Sequence, residues 1–188
     1  GDYFITKFDE DFKQYEGDAF NSGYNANISA FFTEADIFFS KKFAVKLGAR
    51  LSNNDLLDET VVAPRASLAY KISKNGQFSF AYGSFTQAPR QDYLKYADYL
   101  NSEKAQHYIL NYQYSKDRRT FRAEVYFKDY SNLVKYDTEA AQFNSDFNNS
   151  GTGYARGLDV FWRDNKTIKN VEYWISYSYI DTERNYRN

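Results

Sequence analysis

The sequence predicts an all-β fold: an antiparallel up-and-down meander of about eight long strands, forming part of a larger transmembrane β-barrel. Three observations carry this expectation. Apolar and polar residues alternate with period two over runs of about 10–13 residues, where globular strands usually have five or six. The links between runs alternate in length, with the short ones at one end and the long ones at the other. The 188 residues hold 19 Tyr and 17 Phe but no Met or Cys, and aromatic side chains favour a pleated, half-buried surface.

The elements follow in order. From Asn27 to Phe39, Phe31, Ala35, Ile37 and Phe39 share one face and Glu34 and Asp36 the other. Val45, Leu47, Ala49 and Leu51 then alternate with Lys46, Gly48 and Arg50. The next strand carries Leu68, Tyr70 and Ile72, with Pro64 early in it, where a missing N–H predicts a rim position or a bulge. Phe78, Phe80 and Tyr82 define the fourth run, and Tyr108, Leu110, Tyr112 and Tyr114 the fifth. Phe121, Ala123, Val125 and Phe127 make the sixth, Leu158, Val160 and Trp162 the seventh, and Val171 to Tyr179 the eighth. Short links are expected at Ser40–Lys41, Ser73–Gly76, Lys116–Arg119 and Asp164–Ile168. Asn75-Gly76 in the second of these is a tight-hairpin signal. Long links are expected at Asn53–Thr60, Thr86–Lys104 and Asn132–Gly153. Outer-membrane barrels have this asymmetry, with short periplasmic turns and longer extracellular loops.

Residues 1–188 read as one barrel segment: 1–25 an acidic loop, 26–182 strands and loops, 183–188 the start of a further loop. The first residue is not Met and no signal peptide precedes it, so the chain is expected to be a piece of a longer precursor. No run approaches the roughly 18 apolar residues of a membrane helix, but a barrel strand needs only one apolar face. The outward set includes Phe78, Phe80, Phe121, Val125 and Phe127, with Tyr112, Tyr114, Trp162, Tyr177 and Tyr179 as interfacial rings. The lumen-facing set is Arg50, Arg65, Arg122, Glu124, Asp159 and Glu172.

Charge and residue inventory exclude several function classes. The net charge of −1 has no like-charge block and gives no nucleic-acid footprint. Absence of Cys removes disulfides and thiolate metal sites, and the single histidine, His107, cannot build a histidine metal site or a Ser/His/Asp relay. No enzyme activity, cofactor or metal site is expected. The Asp9-Glu10-Asp11 run and the Asp55, Asp58, Glu59 group lack the spacing of a Ca²⁺ loop and read as solvated loop carboxylates. The binding candidates are aromatic residues of the long links. Tyr93, Tyr96 and Tyr99 recur every three residues within Gln91–Leu100, a spacing that predicts a short helical turn, and Phe143 and Phe147 lie in the next long link. These rings either stack on a ligand or pack the links against each other.

Five segments carry a family resemblance. They are Tyr82-Gly-Ser-Phe-Thr-Gln-Ala-Pro89, Leu100-Asn-Ser-Glu-Lys-Ala-Gln-His-Tyr108, and Glu124-Val-Tyr-Phe-Lys-Asp-Tyr130 followed by Leu133-Val. Asn148-Asn-Ser-Gly-Thr-Gly-Tyr-Ala-Arg-Gly-Leu-Asp159 and Lys169-Asn-Val-Glu-Tyr-Trp-Ile-Ser-Tyr-Ser-Tyr179 complete the set. In this order the chain resembles the barrel of a TonB-dependent outer-membrane receptor of the Bacteroidetes type, over about two-thirds of its length. The resemblance implies a plugged barrel of about 22 strands, nutrient binding and uptake (siderophore, cobalamin or glycan), and energy coupling through the TonB system. The sequence departs from the family in having no plug domain and no N-terminal coupling box. Outer-membrane lipid is the further expected partner, and the exposed edges of an excised sheet invite self-association. Two other readings stand beside this one: a complete eight-stranded outer-membrane barrel with a structural or adhesin role, and a soluble β-sheet binding module.

Overall fold

Alternation is realised as one continuous ladder. The computed structural model describes residues 2–13, 19–142, 144–185 and 187, with side chains from Asn25 onward and at Ile5. The strands are β1 (Asp2–Lys13), β2 (Ala19–Phe38), β3 (Phe43–Asn54), β4 (Glu59–Lys71), β5 (Gly76–Gln87), β6 (Glu103–Lys116), β7 (Arg119–Lys135), β8 (Asn148–Asp164) and β9 (Tyr173–Arg184). All pair with their sequence neighbours in one nine-stranded antiparallel sheet, so β1 and β9 are its edges. The eight expected strands are β2 to β9. Their lengths, from 12 residues in β3 to 20 in β2, exceed the about 9–11 needed to cross a bilayer at a tilt.

Residues 2–13 and 19–25 are strand, not the expected acidic loop. β1 spans Asp9-Glu10-Asp11, and β2 begins at Ala19. β2 is long because its first half pairs with β1 and its second half with β3. The backbone ladder overrides the poor strand propensity of a short acidic run, because pairing partners rather than intrinsic preference decide a strand. The link 165–172 is longer than expected, since β9 begins only at Tyr173, and the links are shorter than expected at three places. The third link is 55–58, since β3 and β4 stay paired to Asn54–Glu59. The next is 88–102 and contains the four-residue helix α1 (Gln91–Leu94). The last of the three is 136–147, since Leu133 pairs with Gly151 and Lys135 with Asn148 across an irregular register. Gly151-Thr-Gly153 is therefore strand, not loop. A β-carbon on Gly151 would stand 2.6 Å from the Leu133 carbonyl oxygen, so close backbone approach requires glycine there.

Pro64 resolves simply. β4 pairs with β3 over its whole length but with β5 only from Arg65 to Lys71. Pro64 is the first position beyond the β4–β5 ladder, where a missing N–H costs no ladder bond. The tight hairpin expected at Asn75-Gly76 forms over the link 72–75, without the positive φ of an Asn-Gly turn, since no described glycine has positive φ and Gly76 is the first residue of β5. The two-residue link is Asp117-Arg118 instead, with φ of 51° and 64°, the conformation of a type I′ hairpin.

The register sorts the faces. Ile37, Val45, Leu68, Phe80, Leu110, Val125, Leu158 and Tyr179 are successive cross-strand partners, forming one apolar row over eight strands. One step along, on the opposite face, the row reads Phe38, Ala44, Ala69, Ser79, Asn111, Glu124, Asp159 and Ser178, polar from β5 onward. Members of the apolar row such as Leu110 and Val125 remain exposed, so no second layer covers this face among the described residues. The best-buried cluster lies elsewhere, at the end carrying the long links: Leu94, Ala97, Leu100, Val134 and Phe147 pack together, with Leu56 and Leu57 against them.

Candidate functional site

Five of the six charged residues read as lumen-facing share the polar face. Arg50 lies between Phe32 and Ala63, and Arg65 between Gly48 and Gly83. Arg122 lies between Gln113 and Phe161, while Glu124 and Asp159 oppose each other directly. Glu172 lies outside the ladder. It precedes β9 in the link, exposed and paired with Arg163.

Near the long-link end the polar face carries a compact group that sequence reading left scattered. Arg65, Gly83, His107 and Lys128 are successive cross-strand partners on β4 to β7. Phe85, two residues beyond Gly83, folds its ring back over the glycine. The ring lies 4.6 Å from the His107 imidazole, and the Arg65 guanidinium carbon sits 4.8 Å above its centroid. A cation, two flat rings and a second cation therefore line up across four strands. The signal available in the sequence was Gly83-x-Phe85 in a strand, a glycine with an aromatic two residues on, on the same face.

The sheet curls toward this face. Arg184 on β9 reaches across β7 and β8 to Glu103 on β6 at 3.0 Å, and Glu103 also accepts the Val134 N–H at 3.0 Å. The curl leaves a groove of about 560 Å³, lined by Phe85, Arg90, Glu103, His107, Tyr130 and Arg184 among others.

Above the groove the long links form a single packed unit. Phe147 is 3% exposed, and its ring stands 6.0 Å from Tyr93 and 6.2 Å from Tyr96. Tyr136 closes the cluster at 6.1 Å from Phe147. Burial pushes the Tyr93 hydroxyl pKa up. Tyr93, Tyr96 and Phe147 thus pack the links against each other rather than lying open to a ligand. Tyr99 is different: 63% exposed, it donates through its hydroxyl to the Phe147 carbonyl at 3.2 Å and presents its ring outward. Phe143 lies outside the described residues. Asn149 fastens the unit, accepting from the Asn101 N–H at 2.8 Å and donating to the carbonyls of Asn101 and Asn132, each at 2.9 Å. The loop carboxylates have structural duties. Asp55 accepts the Asn27 N–H and its side-chain amide, both at 2.6 Å, and these bonds hold its carboxyl below the usual carboxylate range. Glu59 accepts the Ser102 N–H at 3.0 Å. Among the described residues no group of three or more His, Asp or Glu is placed to hold a metal ion.

The arrangement is suited to binding, since it offers cations, ring faces and a concave surface. A comparison with family models matches residues 1–188 to the TonB dependent receptor-like β-barrel. A comparison with curated proteins returns no match. Solved structures share the fold. The siderophore receptor PirA from Pseudomonas aeruginosa superposes with a TM-score of 0.72 at 15% identity, over 85% of this chain and 32% of that one. A ferric enterobactin receptor mutant (PfeA) from the same organism, in complex with enterobactin, gives 0.75 at 15% identity, over 85% and 28%. The outer membrane transporter YddB from Escherichia coli gives 0.71 at 11% identity, over 87% and 25%. The chain thus spans about a third or less of the length of these structures.

Proposed function

Because this chain belongs to the TonB-dependent receptor-like β-barrel family, we propose that it serves as part of the wall of a receptor that binds a scarce nutrient and carries it inward. Members of the family are outer-membrane transporters and not enzymes, and the chain is an outer-membrane barrel segment. On this reading the apolar row from Ile37 to Tyr179 meets lipid, and the face carrying Arg65, Glu124 and Asp159 meets the lumen. The edges β1 and β9 pair with further strands of the barrel or, in an isolated segment, with each other's copies. Import is energised through the TonB system acting on the whole receptor.

The observation that carries this reading is the segregation of the two faces along one unbroken register. A wall between hydrocarbon and water needs such a row of exposed apolar side chains along successive strands. The groove under the packed links, with Phe85 and His107 in its lining and Arg65 stacked on the Phe85 ring, is the proposed contact surface for the nutrient. Siderophore, cobalamin and glycan are the candidate classes. Ferric siderophores come first because PirA and PfeA, which share the fold, are siderophore and ferric enterobactin receptors. The test is a binding screen on the full-length receptor, with Arg65→Ala and Phe85→Ala variants. Loss of one cation–ring pair should weaken the best ligand about tenfold. Unchanged affinity in both variants would remove this groove from the binding surface.

A further inference from the structure

The end of the sheet opposite the long links is basic. Lys41 and Lys42 lie in the link 39–42, Lys71 and Lys74 at and within the link 72–75, and Lys116 and Arg118 at the Asp117-Arg118 turn, all of them exposed. Lys166 and Lys169 continue the series in the link 165–172. The acidic groups at this end are engaged: Asp117 with Lys166 at 3.1 Å, Asp164 with Arg119 at 3.1 Å, and Glu172 with Arg163. At the other end the links carry Asp55, Asp58, Asp92, Asp98, Asp137, Glu139 and Asp146 against Arg90 and Lys95. The whole chain has 24 Lys+Arg against 25 Asp+Glu, so this is segregation of charge, not an excess.

The basic end is also held in place. Ser40 Oγ accepts the N–H groups of Lys42 and Phe43 at 3.1 and 3.0 Å, and Ser73 Oγ accepts those of Asn75 and Gly76 at 3.2 and 2.9 Å. Asp164 Oδ1 does the same for Lys166 and Thr167, both at 2.8 Å. Adjacent links are tied by backbone bonds: Lys71 N–H to the Lys42 carbonyl at 2.8 Å, Ser115 to Asn75 at 2.8 Å, and Asn165 to Arg118 at 3.2 Å. Lys42 and Lys71 are thereby fixed as cross-strand neighbours, an opposition of like charge that destabilises a sheet by itself. One step inward on the apolar face lie aromatic rings in mutual contact, with Phe43 6.5 Å from Tyr70, Phe78 4.8 Å from Tyr112 and Phe121 6.3 Å from Trp162. Rings of this kind sit at the headgroup level of a bilayer. Cations set just beyond them face phosphate.

We propose that this rim binds the headgroups of anionic phospholipids in the leaflet at the short-link end. The proposal rests on the reading that the apolar face meets lipid. An anionic headgroup supplies the counter-charge that Lys42 and Lys71 lack in each other, and a lysine near an anionic surface gains about fivefold in partition.

The experiment uses the full-length receptor carried from vesicles of equal phosphatidylglycerol and phosphatidylcholine into the gas phase, with retained lipids counted by mass. Wild type should retain phosphatidylglycerol over phosphatidylcholine by about tenfold or more. The variant Lys41→Gln/Lys42→Gln/Lys71→Gln/Lys74→Gln should fall toward parity while keeping its phosphatidylcholine. A measurement on wild type alone stands beside the variant: high salt before transfer should remove the preference and leave total lipid unchanged, because exposed charges are screened. Equal retention of the two lipids by wild type overturns the proposal. Displacement of phosphatidylglycerol by millimolar inorganic phosphate also overturns it, since the rim is then a plain anion patch. Retention of neither lipid overturns the lipid-facing reading itself, and this proposal with it.

Discussion

The ring of Phe85 lies over Gly83, with Cε2 2.7 Å from the point where a β-carbon on Gly83 would stand. The missing side chain is what lets the ring settle between Arg65 and His107. Gly83→Ala should push the ring aside and cost about 1 kcal/mol by crowding. The informative measurement is a double-mutant cycle with Phe85→Ala. Once the ring is displaced, its removal should matter less, giving a coupling of at least about 0.5 kcal/mol between sites in contact. Strict additivity would refute the dependence of the stack on Gly83.

Phe147 joins two links that are far apart in sequence, through its contacts with Tyr93, Tyr96 and Tyr136. Phe147→Ala removes the buried ring at the centre of that small core and should cost about 3–5 kcal/mol in the opening free energy of the linked unit. Amide hydrogen exchange should quicken together over 88–102 and 136–147 while the ladder of β5 and β6 keeps its protection. Acceleration confined to 136–147 would show that the links do not move as one.

Asp55 ties the start of the described side chains on β2 to the link 55–58 through its bonds from Asn27. Those bonds lower its carboxyl pKa in the folded state, so the tie is complete above the ordinary carboxylate range, near pH 4, and is lost as pH falls through the lower folded value. The Asn27 amide should therefore exchange slowly at pH 6 and faster once acid protonates Asp55, beyond the intrinsic pH effect. Asp55→Asn should abolish that extra step. An identical profile in wild type and variant would exclude Asp55 as its source.

Arg118 holds φ at 64° in a two-residue turn that contains no glycine. The left-handed region costs a side-chain-bearing residue about 1–2 kcal/mol. Arg118→Gly should therefore raise stability by about 1 kcal/mol, read as a higher unfolding midpoint in denaturant, with the Asn165 N–H still bonded to its carbonyl. A lower midpoint would mean that the arginine side chain contributes more than the backbone strain removes.

Much of the wall was legible in residue order. Period-two alternation is a local property, so Phe78 to Tyr82 or Phe121 to Phe127 declare a strand and its faces without any neighbour. The sequence determined β2 to β9, the apolar and polar faces, and which end carries the long links. It misjudged β1, where Asp9-Glu10-Asp11 masks the recurrence of Phe4, Phe8 and Phe12. It placed the hairpin at Asn75-Gly76 but not its conformation, which depends on how Ser73 Oγ engages the following N–H groups. Tertiary structure alone decided what register decides. It brought Arg65, Phe85, His107 and Lys128 together from four strands, buried Phe147 while leaving Tyr99 outward, and set Glu172 in the link before β9 against Arg163. Cross-strand neighbours are many residues apart in the chain, and a one-residue slip would exchange every face, so no local pattern can state which side chains finally meet.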